Sequence, residues 1–325
     1  QVGQMLPSSE QSLVATTIHR YVHNQPIYEY NQIDQGASKL ILDEASMISL
    51  PHIIYALLTI TAFNDSELKS SKLTPVTIAG DPFQLKPVGL TPNPLESRGY
   101  HGWSTESIYT LFKLEQFDLD STPVGGYTID NLKIQYRSST SIGRLYSDYC
   151  YEGLLHHFHD ELPSDLNPEF PESIYRIEFE VHSHKADEHP LTKLYTYRKY
   201  STYHLYSCIL AIELAAKIRS ISDESVPLLS PYGIQARILR DIIEKDKYRF
   251  TDDKVSAGTV HSSQGDEADH VILVQNPSEL TNSHMAFFNN RNIINVAISR
   301  AKKKLFVLLP NPVRSEEHTS ELQSH

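Results

Sequence analysis

Two acidic strings, two arginines and one hydroxyl-rich turn hold the residues of this chain whose types and spacing could do chemistry. In SKLILDEAS, residues 38–46, an apolar run ends in Asp43 and Glu44. Such a pair supplies what phosphoryl transfer needs beside a nucleotide: one carboxylate to hold Mg2+ and a neighbour to polarise the attacking water. A solvated turn after a strand gives the same string, so the pair alone decides little. TPVTIAGDPFQLKP, residues 74–87, repeats the arrangement and adds Gln84, a neutral side chain able to hydrogen-bond both a γ-phosphate and a water. Arg137 in IQYRSS and Arg300 in VAISRAKKK are flanked by small or hydroxyl residues. Each can neutralise charge developing on a γ-phosphate, and each alone reads equally as half of a surface ion pair. In TVHSSQGDEADHVIL, residues 259–273, a turn rich in hydroxyls and glycine precedes Asp266, Glu267 and Asp269. It can offer hydroxyls to a phosphate backbone and a carboxylate to a ribose.

The elements that must position these residues alternate in type. An apolar run lies before the first acidic string and a β-branched run before the second, and residues 51–63 between them carry apolar side chains at helical spacing. Strand, helix, strand with a carboxylate at each strand's end is the grammar of an open parallel α/β sheet, which binds ligands outside the carboxyl ends of its strands. Residues 91–126 are punctuated by proline and glycine and are the candidate interdomain region. A second α/β set follows. Helices are predicted over 141–155, 202–220, 232–247 and 289–301, and strands over 226–229, 254–260, 270–274 and 305–309, with Pro310 and Pro312 ending regular structure. Residues 156–200 read as an irregular, solvated insertion. Its six histidines (156, 157, 159, 182, 184 and 189) match no zinc-ligand spacing. Tyr195, Tyr197, Tyr200, Tyr203 and Tyr206 read as strand and helix faces that contribute to a core, or as a base-stacking platform.

Composition bounds the function classes. The chain has 325 residues, 40% of them hydrophobic and 21% charged, enough for two domains with cores of their own. No apolar run approaches the ~20 residues needed to span a bilayer. Two cysteines, Cys150 and Cys208, exclude a disulfide scaffold and fit an intracellular protein, cytoplasmic or nuclear. Residues 314–325, RSEEHTSELQSH, are polar and aperiodic, read as translated adapter sequence, and are set aside from fold reasoning. Setting aside their one arginine and three glutamates takes the net charge from −11 to −9. That balance argues against broad electrostatic attraction to nucleic acid but leaves room for a local groove.

Together the strings resemble a known family. LDEASM, GDPFQLKPV, IQYRSS, SPYGIQARIL, TVHSSQGDEADHVIL and RNIINVAISRAKKKLFV stand in the order and approximate spacing of motifs II, III, IV, IVa, V and VI of superfamily 1 helicases. ATTIHR, residues 15–20, resembles the segment preceding motif II, and the resemblance covers residues 13–309. The similarity is greatest to the branch of nonsense-mediated-decay RNA helicases and replication nuclease-helicases. TIHR and DEASM lean toward RecD-like DNA helicases, and Met47 stands where the decay branch usually has glutamine.

The resemblance implies an α/β fold of tandem RecA-like P-loop NTPase domains, the first one incomplete. Residues 1–115 would be the later part of the first domain, 116–130 the connection, 131–310 the second domain and 311–325 a tail. It implies ATP and Mg2+ as cofactors and single-stranded DNA or RNA as partner, with no membrane. Asp43 would coordinate Mg2+, Glu44 activate water and Gln84 sense the γ-phosphate. Arg137 and Arg300 would reach the γ-phosphate from the second domain. Gln264 and Gly265 would shape the coupling turn, with Glu267 near the ribose, and Ser230, Thr259 and His261 would face the nucleic-acid backbone.

One departure is large: none of the thirteen glycines is followed by Lys-Ser or Lys-Thr, so the phosphate-binding loop G-x-x-x-x-G-K-[ST] is absent. The expectation is a chain that begins inside the first domain and does not hydrolyse ATP alone. The rivals are a non-enzymatic nucleic-acid or partner-binding module, a P-loop-family ATPase that does not unwind, and an exonuclease-associated DNA helicase.

Overall fold

The computed structural model describes residues 39–67, 75–88, 105–115, 129–181, 194–197, 201–276 and 290–312, besides Ala15, Thr17 and Ile18. Most of ATTIHR, most of the 116–130 connection, His182, His184, His189 and residues 313–325 lie outside them. The chain divides into two units, residues 1–116 and 117–325.

In the first unit, β1 (Leu40–Leu42) pairs in parallel with β2 (Val76–Ile78), and α1 (Leu50–Glu67) lies between them in sequence. Leu42, Ala45 and Ile53 form a small buried cluster with Ile108 of the short helix α2 (Ile108–Leu111). Because β1 and β2 run side by side, both acidic strings emerge at the same sheet end.

The second unit is built on a five-stranded, wholly parallel sheet in the order β5-β11-β10-β8-β9. Its strands are β5 (Ile174–Val181), β8 (Val226–Ser230), β9 (Val255–Thr259), β10 (Ala268–Val274) and β11 (Ala301–Pro312). The central β10, residues ADHVILV, is buried almost throughout, as a parallel strand covered on both faces must be. One face packs Val226, Leu228, Ile272 and Phe306 against α4 (Leu205–Ile221) and α5 (Gly233–Lys245). On the other side, α3 (Thr140–Cys150) and α6 (Arg291–Ile298) pack on each other, and both contact β11. The fold is α/β, as expected. A short parallel pair, β3 (Ile134–Gln135) with β4 (His156–His157), stands apart from this sheet. Cys150 and Cys208 are buried free thiols, and burial pushes the Cys208 thiol up to about 12.

Three sequence expectations are corrected. Pro310 and Pro312 do not end the last strand; β11 runs through both, paired with β5. Leu305 donates to Ser173 O, and Leu308 O accepts from Gln275 N–H. Even-numbered backbone groups therefore face β10, whose pairing stops at Leu308, so neither proline removes a ladder bond. Residues 201–204 are not the start of a helix but β7 (Ser201–His204), the second strand of a hairpin with β6 (Leu194–Tyr197). The helix starts only after His204, whose buried imidazole accepts from Ser207 N–H. The described part of residues 156–200 is not an irregular insertion: it supplies β4, the edge strand β5 and half of that hairpin. Tyr195 and Tyr203 face each other across it, centroids 5.1 Å apart and nearly parallel. No helix among the described residues is long and apolar enough to cross a membrane.

A charged cluster ties the sheet to the loop before β5. Glu224 accepts from Ser164 Oγ (2.6 Å), pairs with His270 Nε2 (2.5 Å) and takes the Lys303 ammonium, which also reaches Asp269 (3.3 Å). Burial raises the Glu224 pKa, but Lys303, Ser164 and His270 outweigh it and hold it below its usual 4.5. Its stabilisation is therefore complete above the ordinary glutamate range and lost as pH falls through the depressed value. Glu224→Ala takes the carboxylate partner from the His270 ring and leaves the Lys303 ammonium with Asp269 alone. Urea unfolding is expected to show a loss of about 3 kcal/mol at neutral pH, shrinking toward acid pH.

Candidate nucleotide and nucleic-acid site

In the first unit the chemistry sits where the two parallel strands end. Asp43 and Glu44 are exposed, and Asp43 Oδ1 accepts from Glu44 N–H at 2.9 Å. Glu44 adopts the left-handed region (φ 50, ψ 40), which costs a non-glycine residue of order 1 kcal/mol and turns the chain sharply after β1. Ala79 N–H donates to Leu42 O (2.8 Å) and Ala45 N–H donates to Ala79 O (3.0 Å), locking the two strings together. Asp81 Oδ1 accepts from Phe83 N–H and Asp81 O from Gln84 N–H, forming the turn that carries Gln84.

Tyr109 of α2 faces this corner. Burial and then the charges of Asp81, Glu44 and Asp43 push its phenol up to about 12. The corner thus gathers three carboxylates, and sequence reasoning missed both Asp81 and Tyr109. Asp81 was visible as the acidic residue of the second string, whereas Tyr109 carried no signal. Exposed, hard carboxylate oxygens with one position already occupied by a backbone N–H suit Mg2+, which keeps most of its waters and takes one or two protein carboxylates. Among the described residues no group of three or more His, Cys, Asp or Glu side chains is placed to hold a metal ion by itself, and Asp43 offers one exposed carboxylate of that kind.

The second unit brings together residues far apart in sequence. Arg137 follows β3 and donates from Nε to Glu267 Oε2 (3.1 Å) and from Nη1 to Ser299 O (3.2 Å). Lys302 also pairs with Glu267. The Lys302 hydrogen bond, with Arg137 adding to it, holds the Glu267 carboxyl below the usual range. Arg300 is buried, only 3% exposed. It donates from Nε to Val296 O (3.2 Å) and from Nη1 to Asp266 O (2.8 Å) and Ser263 O (3.4 Å). Both arginines and Glu267 therefore meet at the turn between β9 and β10. In this conformation Arg300 holds that turn rather than projecting from it.

The same turn carries the nucleic-acid candidates. Ser230 and Thr259 are register partners at the carboxyl ends of β8 and β9. Thr259 Oγ1 accepts from Ser262 N–H (3.1 Å) and Asp266 N–H reaches Ser263 O (3.1 Å), with Gly265 at φ +89 closing the bend. Gln264 N–H donates to His261 O. Burial lowers the His261 pKa, so its imidazole is neutral at pH 7. Ser230 departs from expectation: its side chain is buried and accepts from Tyr232 N–H (3.1 Å), so it shapes the turn and presents no surface here. A groove of about 410 Å³ runs beside β8 and β9, lined among others by Ser256, Gly258, Ser262, Ser263, Glu267 and Arg300. Next to Arg137, Tyr136 is 58% exposed and packs on Phe158, 63% exposed, with ring centroids 4.7 Å apart. This aromatic step is another feature the sequence reading passed over.

Residues 119–310, more than half the chain and including both arginines and the whole turn, match the family described as AAA domain. The chain belongs to the AAA domain family. This AAA domain is similar to Replicase polyprotein 1ab of Alphamesonivirus 1 (isolate Aedes harrisoni/Cote d'Ivoire/C79/2004), 29% identical over 286 residues, 83% of this chain and 5% of the relative. It is also similar to Probable helicase MAGATAMA 3 of Arabidopsis thaliana (24% over 283 residues; 85% of this chain, 30% of the relative). Probable helicase senataxin of Mus musculus matches at 25% over 235 residues, 71% of this chain and 8% of its own. The chain thus spans less than a third of each of these relatives. Among solved structures, the helicase of PRRSV matches at 17% identity and TM-score 0.37, over 82% of this chain and 34% of that one. An Arterivirus nonstructural protein 10 (helicase) solved with DNA matches at 14% and 0.32, over 83% and 39%. The family and the two relatives named helicases bear out the superfamily 1 helicase-like character that the motifs implied, and with it a nucleotide-binding family.

Proposed function

We propose that this chain is part of an ATP-dependent superfamily 1 helicase, which couples ATP hydrolysis to movement along single-stranded DNA or RNA inside the cell. The observation that carries this reading is the convergence of Arg137, Glu267 and Arg300 on one turn at the carboxyl end of a parallel sheet. A surface salt bridge needs no such assembly. In this reading Asp43 holds Mg2+, which when bound offsets phosphate charge and orients its oxygens. Glu44 takes the proton of the attacking water, and Gln84 hydrogen-bonds that water and the γ-phosphate. Arg137 exchanges Glu267 for the γ-phosphate, and Arg300 does so at the expense of its carbonyl bonds. Two of the carbonyls it releases, those of Ser263 and Asp266, belong to the turn holding Thr259 and His261, so nucleotide state is felt where nucleic acid is gripped. The exposed Tyr136–Phe158 step offers an aromatic face for a base. Contacts through hydroxyls and amides suit an acidic protein and read little sequence.

The 325 residues contain no phosphate-binding loop, so the purified chain is expected to show negligible ATP turnover with or without single-stranded nucleic acid. Turnover that disappears in Glu44→Gln would overturn that expectation and locate a complete site in this chain.

A further inference from the structure

We propose that Gln135 and His157 are positioning residues for Arg137: the Gln135 amide clamps the turn that presents the arginine, and His157 fixes that amide. The inference rests on the role proposed for Arg137, but its geometry stands separately. All four hydrogen-bonding positions of the amide are used. Oε1 accepts from Arg137 N–H (3.0 Å) and Ser138 N–H (2.9 Å). Nε2 donates to Ser138 O (2.9 Å) and lies 3.2 Å from His157 Nδ1. Three backbone partners thereby set which end of the amide is oxygen, and that orientation requires Nδ1 to be the acceptor and the ring proton to sit on Nε2.

The parallel pairing of β3 with β4 places Gln135 and His157 side by side in register. Gly143 of α3 makes room for them. A Cβ there would lie 2.5 Å from His157 Nδ1 and 2.8 Å from Gln135 Nε2. A glycine inside a helix costs about 1 kcal/mol relative to alanine, and the clamp is what this one accommodates.

The clamp tolerates one protonation state of His157. An imidazolium would turn Nδ1–H against the amide N–H. Flipping the amide relieves that clash only by turning its NH2 against the Arg137 and Ser138 N–H groups. Every charge facing the ring bears on this. Burial, Arg144 on α3 and His156 beside it lower its pKa below 6.5, while Asp148 on α3 raises it. The neutral ring and the intact clamp are therefore held at and above pH 7, and the clamp opens as pH falls through the depressed value.

Amide NMR on the 15N-labelled 325-residue chain tests this without nucleotide. The Arg137 and Ser138 amides should titrate with the same midpoint as the His157 ring, below 6.5, and lose that titration in His157→Phe. Gln135→Glu keeps the acceptor and should raise the His157 midpoint, as a carboxylate beside an imidazole must. Gly143→Ala, which favours the helix, should nonetheless speed exchange of both amides about tenfold, the loss of roughly one hydrogen bond each. Amides that follow another midpoint, or that keep their shifts and protection in Gln135→Leu and Gly143→Ala while the remaining spectrum stays folded, overturn the proposal. If instead the clamp behaves as described and Arg137→Ala leaves turnover of the full-length protein unchanged, the functional reading fails and the clamp stands.

Discussion

Arg137→Ala is expected to lower nucleic-acid-stimulated ATP turnover of the full-length protein about a thousandfold while leaving its unfolding midpoint almost unmoved. The two halves of that expectation come from different observations. An arginine that neutralises charge on a transferring phosphoryl group acts where charge develops, and its loss is felt almost wholly in the rate. Its contacts in this structure, by contrast, are cheap to lose. The side chain is 34% exposed and pairs with Glu267 at 43%, a surface pair worth at most about 1 kcal/mol. Arg300 separates the two effects in the opposite way. At 3% exposure it holds the carbonyls of Ser263, Asp266 and Val296, so Arg300→Ala should lose turnover together with about 3 kcal/mol of stability. Steady-state ATPase assays beside urea unfolding distinguish the pair. Turnover of Arg137→Ala within a few-fold of the parent would remove this residue from the γ-phosphate.

Gly80→Ala is expected to disable the acidic corner by steric contact, without touching a carboxylate. Gly80 has φ +149, a conformation side chains rarely adopt. A Cβ there would lie 2.8 Å from Ala45 N and 3.1 Å from the Tyr109 hydroxyl. The first neighbour is backbone and cannot swing away, because Ala45 N–H is bonded to Ala79 O. Relief must come from parting the two strings, which moves Glu44 out of its left-handed turn. The expected result is about 2 kcal/mol of destabilisation with turnover of the full-length protein lowered more than proportionately to the folded fraction. Gly265→Ala serves as the comparison. It shares a positive φ (+89) but meets nothing within 4 Å, so it carries conformational strain alone, about 1 kcal/mol. Equal effects at the two glycines would show that contact at Gly80 is unimportant.

What could be read in advance follows the range of the interactions. The strands at 40–42, 76–78, 226–230 and 268–274, and the helices between them, are local: apolar runs and helical periodicity mark them without knowledge of neighbours. Pro310 misled because its tolerance depends on where β10 stops, a fact of the sheet and not of the residue. Residues 201–204 misled because a hairpin partner, four to ten positions earlier, outweighed helical spacing. Residue identity pointed to Asp43, Glu44, Arg137 and Arg300, since few side chains can hold Mg2+ or meet a phosphate. Their surroundings were hidden for a shared reason. Glu267 is 130 positions from Arg137, and Tyr109 nearly thirty from Asp81. The burial of Ser230 and the Gln135–His157 clamp likewise depend on which strands pair, and no spacing rule carries that information.

The proposed role of the acidic corner is to activate water for ATP hydrolysis driven by nucleic acid. It is tested most directly by single-stranded nucleic-acid-stimulated ATP turnover in the full-length protein carrying Glu44→Gln. The variant keeps the shape of the corner and removes the proton acceptor. Turnover should fall at least a hundredfold, about the contribution of a general base, with nucleic-acid binding retained. Turnover equal to the parent's, with binding intact, would contradict the account.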